Sequence, residues 1–209
     1  MEFLIDGPVE APTLVLAHGA GSPMDSSWMN EFAALLGDRG IRVVRFEFPY
    51  MAARRSGKRT PPPRADLSID DYRAALDAVD AGGRPLLVGG KSYGGRVASL
   101  AADALTAEGR IDGLVCLGYP FHPPEKPGDL RTAHLEHLAT RTLICQGTRD
   151  PLGSRDEVEG YVLSPAIWVH WLDDGEHDLR PRKAISGRTF RQNLEEAADA
   201  VAAFVRWAG

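Results

Sequence analysis

The stretch Leu86-Leu87-Val88-Gly89-Gly90-Lys91-Ser92-Tyr93-Gly94-Gly95-Arg96 decides how this chain folds. Leu86 to Val88 is a short apolar run of strand character, and from Gly94 to about Glu108 apolar residues recur at helical spacing. Between them stands Gly90-x-Ser92-x-Gly94, the pattern of a nucleophile elbow. The need for glycine there is steric. The serine is held in a strained backbone that projects its hydroxyl, and glycines two before and two after let strand and helix approach. Gly90-Lys91-Ser92 is also how a phosphate-binding P-loop ends, but that loop requires a glycine five positions earlier. The residue there is Pro85, and an apolar strand fills the gap.

Outward from the elbow, short apolar runs alternate with helical patterns. Leu14 to Ala17, Val43 to Phe48, Leu114 to Leu117, Thr142 to Cys145 and Ile167 to Leu172 read as five further strands. Several are almost wholly apolar, as parallel strands covered on both faces are. Helices are expected over Trp28 to Leu36, from Ser68 to Gly82-Gly83 with Asp71 completing a capping box, and from Thr189 onward with Gln192 in the same role. The run DLRTAHLEHL (Asp129–Leu138) also reads as helix. The expected fold class is α/β: one domain over residues 1–209, a mostly parallel sheet with helices on both faces and no large cap domain. Two Pro-rich segments, Ala52–Asp66 and Tyr119–Gly128, lack periodicity. They read as loops leaving the carboxyl edge of the sheet, where ligands of such folds bind.

Composition narrows the function. The 209 residues carry a net charge of −5, which argues against nucleic acid as the main partner. No apolar run approaches the roughly 20 residues of a membrane span, and no basic-then-apolar secretory leader opens the sequence. The two cysteines, Cys116 and Cys145, sit in apolar strands with no CxxC partner or zinc spacing, and read as buried thiols. A cytoplasmic location, no membrane or nucleic-acid partner, no metal and no cofactor are the corresponding expectations.

A serine nucleophile needs a base, an orienting acid and donors for developing oxyanion charge. In elbow-bearing folds the acid and then the histidine follow the serine in the chain. Asp150 lies just past the strand ending at Cys145, and His177 follows the strand ending at Leu172. His-Gly-Ala-Gly (His18–Gly21) after the first strong strand offers the Ala20 N–H, and Tyr93 offers the N–H after the serine. His122 is the main alternative base, out of order for a strand-end histidine. His18 is expected to brace the oxyanion turn, His170 to pack in its strand, and His134 and His137 to form a solvated pair. Lys91, Tyr50, Phe121, Arg54 and His122 are the candidate substrate contacts. Phe48 and Tyr119 are further candidates for an apolar wall. Basic clusters at residues 54–64 and 180–188 suggest an anionic ester if both converge on the cleft.

The motifs LAHGAG (16–21), GGKSYGGR (89–96), QGTRDP (146–151) and GEHDL (175–179) together resemble the α/β-hydrolase superfamily, within it the small, lid-poor, dienelactone-hydrolase-like esterases. They span nearly the whole chain in the family's order. The resemblance implies Ser92 as nucleophile, Asp150 as acid, His177 as base, and Ala20 and Tyr93 as oxyanion donors. Dienelactone hydrolases proper use cysteine where this chain has Ser92. The implied function is a serine hydrolase of small carboxylic esters, with thioesters and lactones as related substrates, working through an acyl-enzyme. The alternative is a hydrolase-fold binding or scaffold subunit without turnover.

Overall fold

In the computed structural model, which describes residues 1–206, seven strands and seven helices alternate along the chain. They are β1 (Phe3–Asp6), β2 (Thr13–Ala17), α1 (Ser27–Gly37), β3 (Arg42–Phe46), α2 (Pro49–Arg55), α3 (Ile69–Asp77) and β4 (Leu86–Lys91). Then follow α4 (Tyr93–Ala107), β5 (Gly113–Leu117), β6 (Thr142–Gly147), α5 (Arg155–Val158), β7 (Ile167–Leu172), α6 (Lys183–Ser186) and α7 (Phe190–Arg206). The strands form one sheet in the order β1-β3-β2-β4-β5-β6-β7, parallel throughout except for β1.

Strand alternation divides the core into two layers. Val15 and Ala17 of β2 face α3 and α4 together with Phe46, Val88, Tyr72 and Val97. Leu14 and Leu16 face α1 and α7, among Phe32, Leu36, Leu194 and Val201. Strands β2, β5 and β6 are buried at every position, which accounts for their mostly apolar sequences. Among the described residues no helix is long and apolar enough to cross a membrane.

Four expectations need correction. β1 is an additional strand: Leu4 pairs with Arg45 of β3 at the edge, and only four partly exposed residues carry it, too few to show a period. The segment from Ala52 is not all loop, because Pro49 at the first helical position starts α2, which runs to Arg55. Ser68 does not cap α3; its Oγ lies 2.9 Å from the Tyr93 hydroxyl instead. DLRTAHLEHL is a run of turns. Leu135 and Leu138 are buried at helix-like spacing, but the Asp103 carboxylate takes the Ala139 and Thr140 N–H groups that a continuing helix would use. The box at α7 does form, with Thr189 N–H donating to Gln192 Oε1 at 2.8 Å and Gln192 N–H to Thr189 Oγ1 at 3.2 Å.

Candidate active site

β4 ends at Lys91 and α4 begins at Tyr93, so Ser92 alone makes the turn, at φ 51° and ψ −112°. That is a strained conformation for a residue with a side chain, worth on the order of 1–3 kcal/mol. The surroundings enforce it. A Cβ on Gly94 would lie 2.6 Å from the His18 carbonyl oxygen and 2.7 Å from that of Ala17. A Cβ on Gly90 would overlap the Gly94–Gly95 backbone, so the helix returns against its strand only because both positions are bare.

The structure brings Ser92, His177 and Asp150 together. Ser92 Oγ lies 2.8 Å from His177 Nε2, and His177 Nδ1 lies 2.8 Å from Asp150 Oδ2. A carboxylate only accepts, so Nδ1 donates to Asp150 and Nε2 accepts from the serine hydroxyl. A hydroxyl so paired can lose its proton to the imidazole as it attacks. Asp150 is fully buried and well fixed: Oδ1 accepts the Leu152 N–H at 2.8 Å, and Oδ2 sits 3.0 Å from Gln146 Nε2. Gln146 enters the sequence reading only as the first residue of the QGTRDP motif, and its support of Asp150 has no signal there beyond a polar side chain at the end of the apolar run Thr142–Cys145.

His177 rides on a loop held by polar cross-links. Asp174 and Leu179, at φ 50° and 65°, bracket it. The Asp174 carboxylate accepts the Arg182 N–H at 2.6 Å, pairs with the Arg182 guanidinium and lies 3.2 Å from Arg149 Nε. The hydrogen bonds from Arg182 hold that carboxyl down at about 2. Buried Asn193 of α7 donates to the carbonyls of Asp173 and Leu179 at 3.1 and 2.9 Å.

The His18–Gly21 turn lies beside the serine, with Gly19 close to the Ser92 Cβ. Tyr93 opens α4, where an N–H has no carbonyl one turn earlier to bond, and the helix end carries partial positive charge. The Ala20 N–H donates to no group among the described residues. His18 is fully buried behind the turn; its Nδ1 bonds the Gly19 carbonyl at 2.7 Å and its Nε2 accepts the Phe48 N–H at 3.2 Å. Burial keeps that imidazole below the usual histidine range.

A cleft of about 450 Å³ opens onto Ser92 and His177, lined further by Gly19–Ser22, Trp28, Lys91, Arg180 and Phe190. Its aromatic walls are therefore Trp28 at the start of α1 and Phe190 at the start of α7. The candidate contacts from the Pro-rich segments are elsewhere. Phe121 is fully buried under Gly153, and His122, 2% exposed, bonds the Pro123 carbonyl and lies 3.4 Å from Glu157. Both support the loop that carries Asp150. Phe48 and Tyr119 are core residues with no exposed surface. Tyr50 donates to the Ala20 carbonyl at 3.2 Å, bracing the turn from behind. Arg54 sits over the Tyr50 ring and lines a separate recess with Arg59, Thr60 and Pro61.

The two basic clusters do not converge on the cleft. Arg55 is engaged by Glu47 and Asp25, Arg182 by Asp174 and Arg188 by Glu196. Arg180 alone reaches the cleft, stacked 3.9 Å over the Phe190 ring. His134 and His137 are not an equivalent solvated pair. His134 bonds Ser99 Oγ at 2.9 Å, and burial pushes it down to about 4, whereas His137 is exposed. Among the described residues no cluster of three or more His, Cys, Asp or Glu side chains could hold a metal.

An elbow, a lidless parallel sheet and this order of serine, acid and histidine are features of one class. Residues 10–206 match the family model described as an alpha/beta hydrolase domain, and the chain belongs to that family. Solved structures share the fold across nearly the whole chain. An α/β serine hydrolase without a lid from Xanthomonas campestris has TM-score 0.67 at 19% identity, covering 95% of this chain and 88% of that one. A serine hydrolase homologue from Coxiella burnetii gives 0.67 at 17%, covering 98% and 89%. The esterase domain of a Rhodothermus marinus protein gives 0.66 at 16%, covering 98% and 92%.

Proposed function

We propose that the protein is a serine hydrolase of small carboxylic esters, with thioesters and lactones open to the same chemistry. The observation that carries this reading is the continuous chain Ser92 Oγ–His177–Asp150, with both bonds at 2.8 Å and the hydroxyl facing an open cleft. His177 takes the Ser92 proton as Oγ attacks the ester carbonyl, while Asp150 orients the imidazole and stabilises its charged form. The N–H groups of Ala20 and Tyr93 receive the oxyanion. Collapse expels the alcohol, which leaves with the proton from His177, and the acyl group stays on Ser92. The open cleft and an imidazole facing the serine support an enzyme over a non-catalytic binding subunit.

The cleft's modest volume and its Trp28 and Phe190 walls favour short or flat acyl and alcohol groups, and Arg180 favours an anionic substituent. The free, buried thiols of Cys116 and Cys145 suit a cytoplasmic location. The test is a fluorophosphonate probe together with a panel of p-nitrophenyl esters of increasing acyl length. Wild type should be labelled and turn over short esters, and Ser92→Ala should do neither. A folded wild type inert to probe and panel overturns the proposal.

A further inference from the structure

The chemistry above gives no part to Lys91, a lysine 6% exposed at the cleft floor, one residue before the nucleophile. Alternation along β4 sends Leu87, Gly89 and Lys91 to the α1/α7 side, so the lysine runs beneath the cleft toward the histidine loop. Its Nζ donates to the His177 carbonyl at 2.8 Å and lies 3.1 Å from Asp178 Oδ1. It also stands 5.7 Å from the Trp28 ring centre, and Trp28 Nε1 donates to the Asp178 carbonyl at 2.9 Å. These contacts close a ring through the lysine, the histidine loop and the cleft wall. Gly118, at φ 62°, leaves the room for it: a Cβ there would lie 2.6 Å from the His177 carbonyl oxygen and 3.2 Å from Nζ.

We propose that Lys91 is a positioning residue that keeps His177 over Ser92 Oγ during deacylation; this rests on the esterase reading. In the free protein the histidine has three tethers: Ser92 on Nε2, Asp150 on Nδ1 and Lys91 on the backbone carbonyl. Acylation removes the first, because Oγ then carries the acyl carbon and has no proton to donate. In deacylation a water oxygen bonds the acyl carbon as His177 Nε2 takes a water proton. The C–Oγ bond then breaks, Oγ recovers that proton from Nε2, and the carboxylic acid leaves. Through this stage a loop bracketed by two strained residues depends on Asp150 and Lys91 alone among these tethers. The lysine is attached next to Ser92 itself, so it sets the spacing of base and nucleophile whatever Oγ carries.

The experiment compares full-length wild type, Lys91→Met and Lys91→Arg with p-nitrophenyl acetate, by stopped-flow and intact mass, alongside fluorophosphonate labelling rates. Methionine keeps the buried volume, and the Asp178 side chain it abandons is 60% exposed and stays hydrated. In Lys91→Met, kcat should fall by about tenfold or more, since small misplacements of a catalytic group are costly. KM should fall with it, the acetyl-enzyme should accumulate with a p-nitrophenolate burst, and labelling should stay near the wild-type rate. Lys91→Arg should restore part of kcat. Three results overturn the proposal: kcat/KM and labelling falling as far as kcat, a rise in KM, or no change at all. A wild type that neither labels nor turns over overturns the esterase reading instead. Should Lys91→Met not fold, Asp178→Asn must show the same accumulation at smaller amplitude, and its absence is decisive against Lys91.

Discussion

The two halves of the site are held in place by opposite means. Around Ser92 the backbone is fixed by what is missing: Gly90 and Gly94 leave contact distances that no side chain fits. Around His177 it is fixed by what is present, with Arg182, Arg149, Asn193, Lys91 and Trp28 all bonded to one short loop. Both halves contain non-glycine residues at positive φ, so both store strain. The first kind of support is all-or-none, because an added methyl has nowhere to go. The second is graded, since each cross-link can be removed alone.

The largest effect expected from this contrast is at Gly94. Gly94→Ala should lower stability by about 3 kcal/mol or more, through overpacking against the His18 and Ala17 carbonyls, and should abolish probe labelling. Gly21→Ala, where nothing lies within 4 Å of the added Cβ, should melt like wild type. Equal melting temperatures for the two variants would break the comparison. On the histidine side, Asn193→Ala leaves the Asp173 and Leu179 carbonyls and Arg188 without its amide, and should cost about 2 kcal/mol in denaturant titration. It should still label, more slowly.

Tyr72 tests the elbow's deeper support. Its buried hydroxyl serves the Val15 carbonyl at 2.7 Å and the Gly89 N–H at 2.8 Å, so Tyr72→Phe should cost about 1 kcal/mol or more and leave KM unchanged. The smallest effect is one of pH. Arg182 holds the folded Asp174 carboxyl at about 2, below its unfolded value near 4, so the clamp stabilises fully above that unfolded value. It fades as pH falls from about 4 toward 2. The melting-temperature gap between wild type and Asp174→Asn should be constant from neutral pH to about 5 and shrink below 4.

What was legible in the sequence follows the same divide. The elbow announces itself because steric exclusion acts between neighbours in the chain, so Gly90, Ser92 and Gly94 form one short pattern. Asp150 and His177 were placed by their positions after strand ends, which the apolar runs mark. The cleft was not legible. Trp28 read as an ordinary core residue of α1, since its spacing with Phe32 is that of a buried helix face, and the two rings do stack at 5.0 Å. Its other duty becomes visible only when residues 28, 180 and 190 meet. The Pro-rich segments misled for a related reason. Their aromatic and basic residues are conspicuous locally, but Phe121 and Arg55 spend themselves on Gly153 and Glu47, as Tyr50 just ahead of the first segment does on Ala20.

The aromatic cleft walls stand at the first turns of α1 and α7, not on a cap or on the strand that leads to Ser92. Trp28 and Phe190 thus face Ser92 and His177 across the cleft from elements other than β4 and α4, and their replacement leaves the glycine cradle untouched. A change of substrate can be sought at two half-buried side chains, while the turn behind them, closed by Gly90 and Gly94, admits no added methyl.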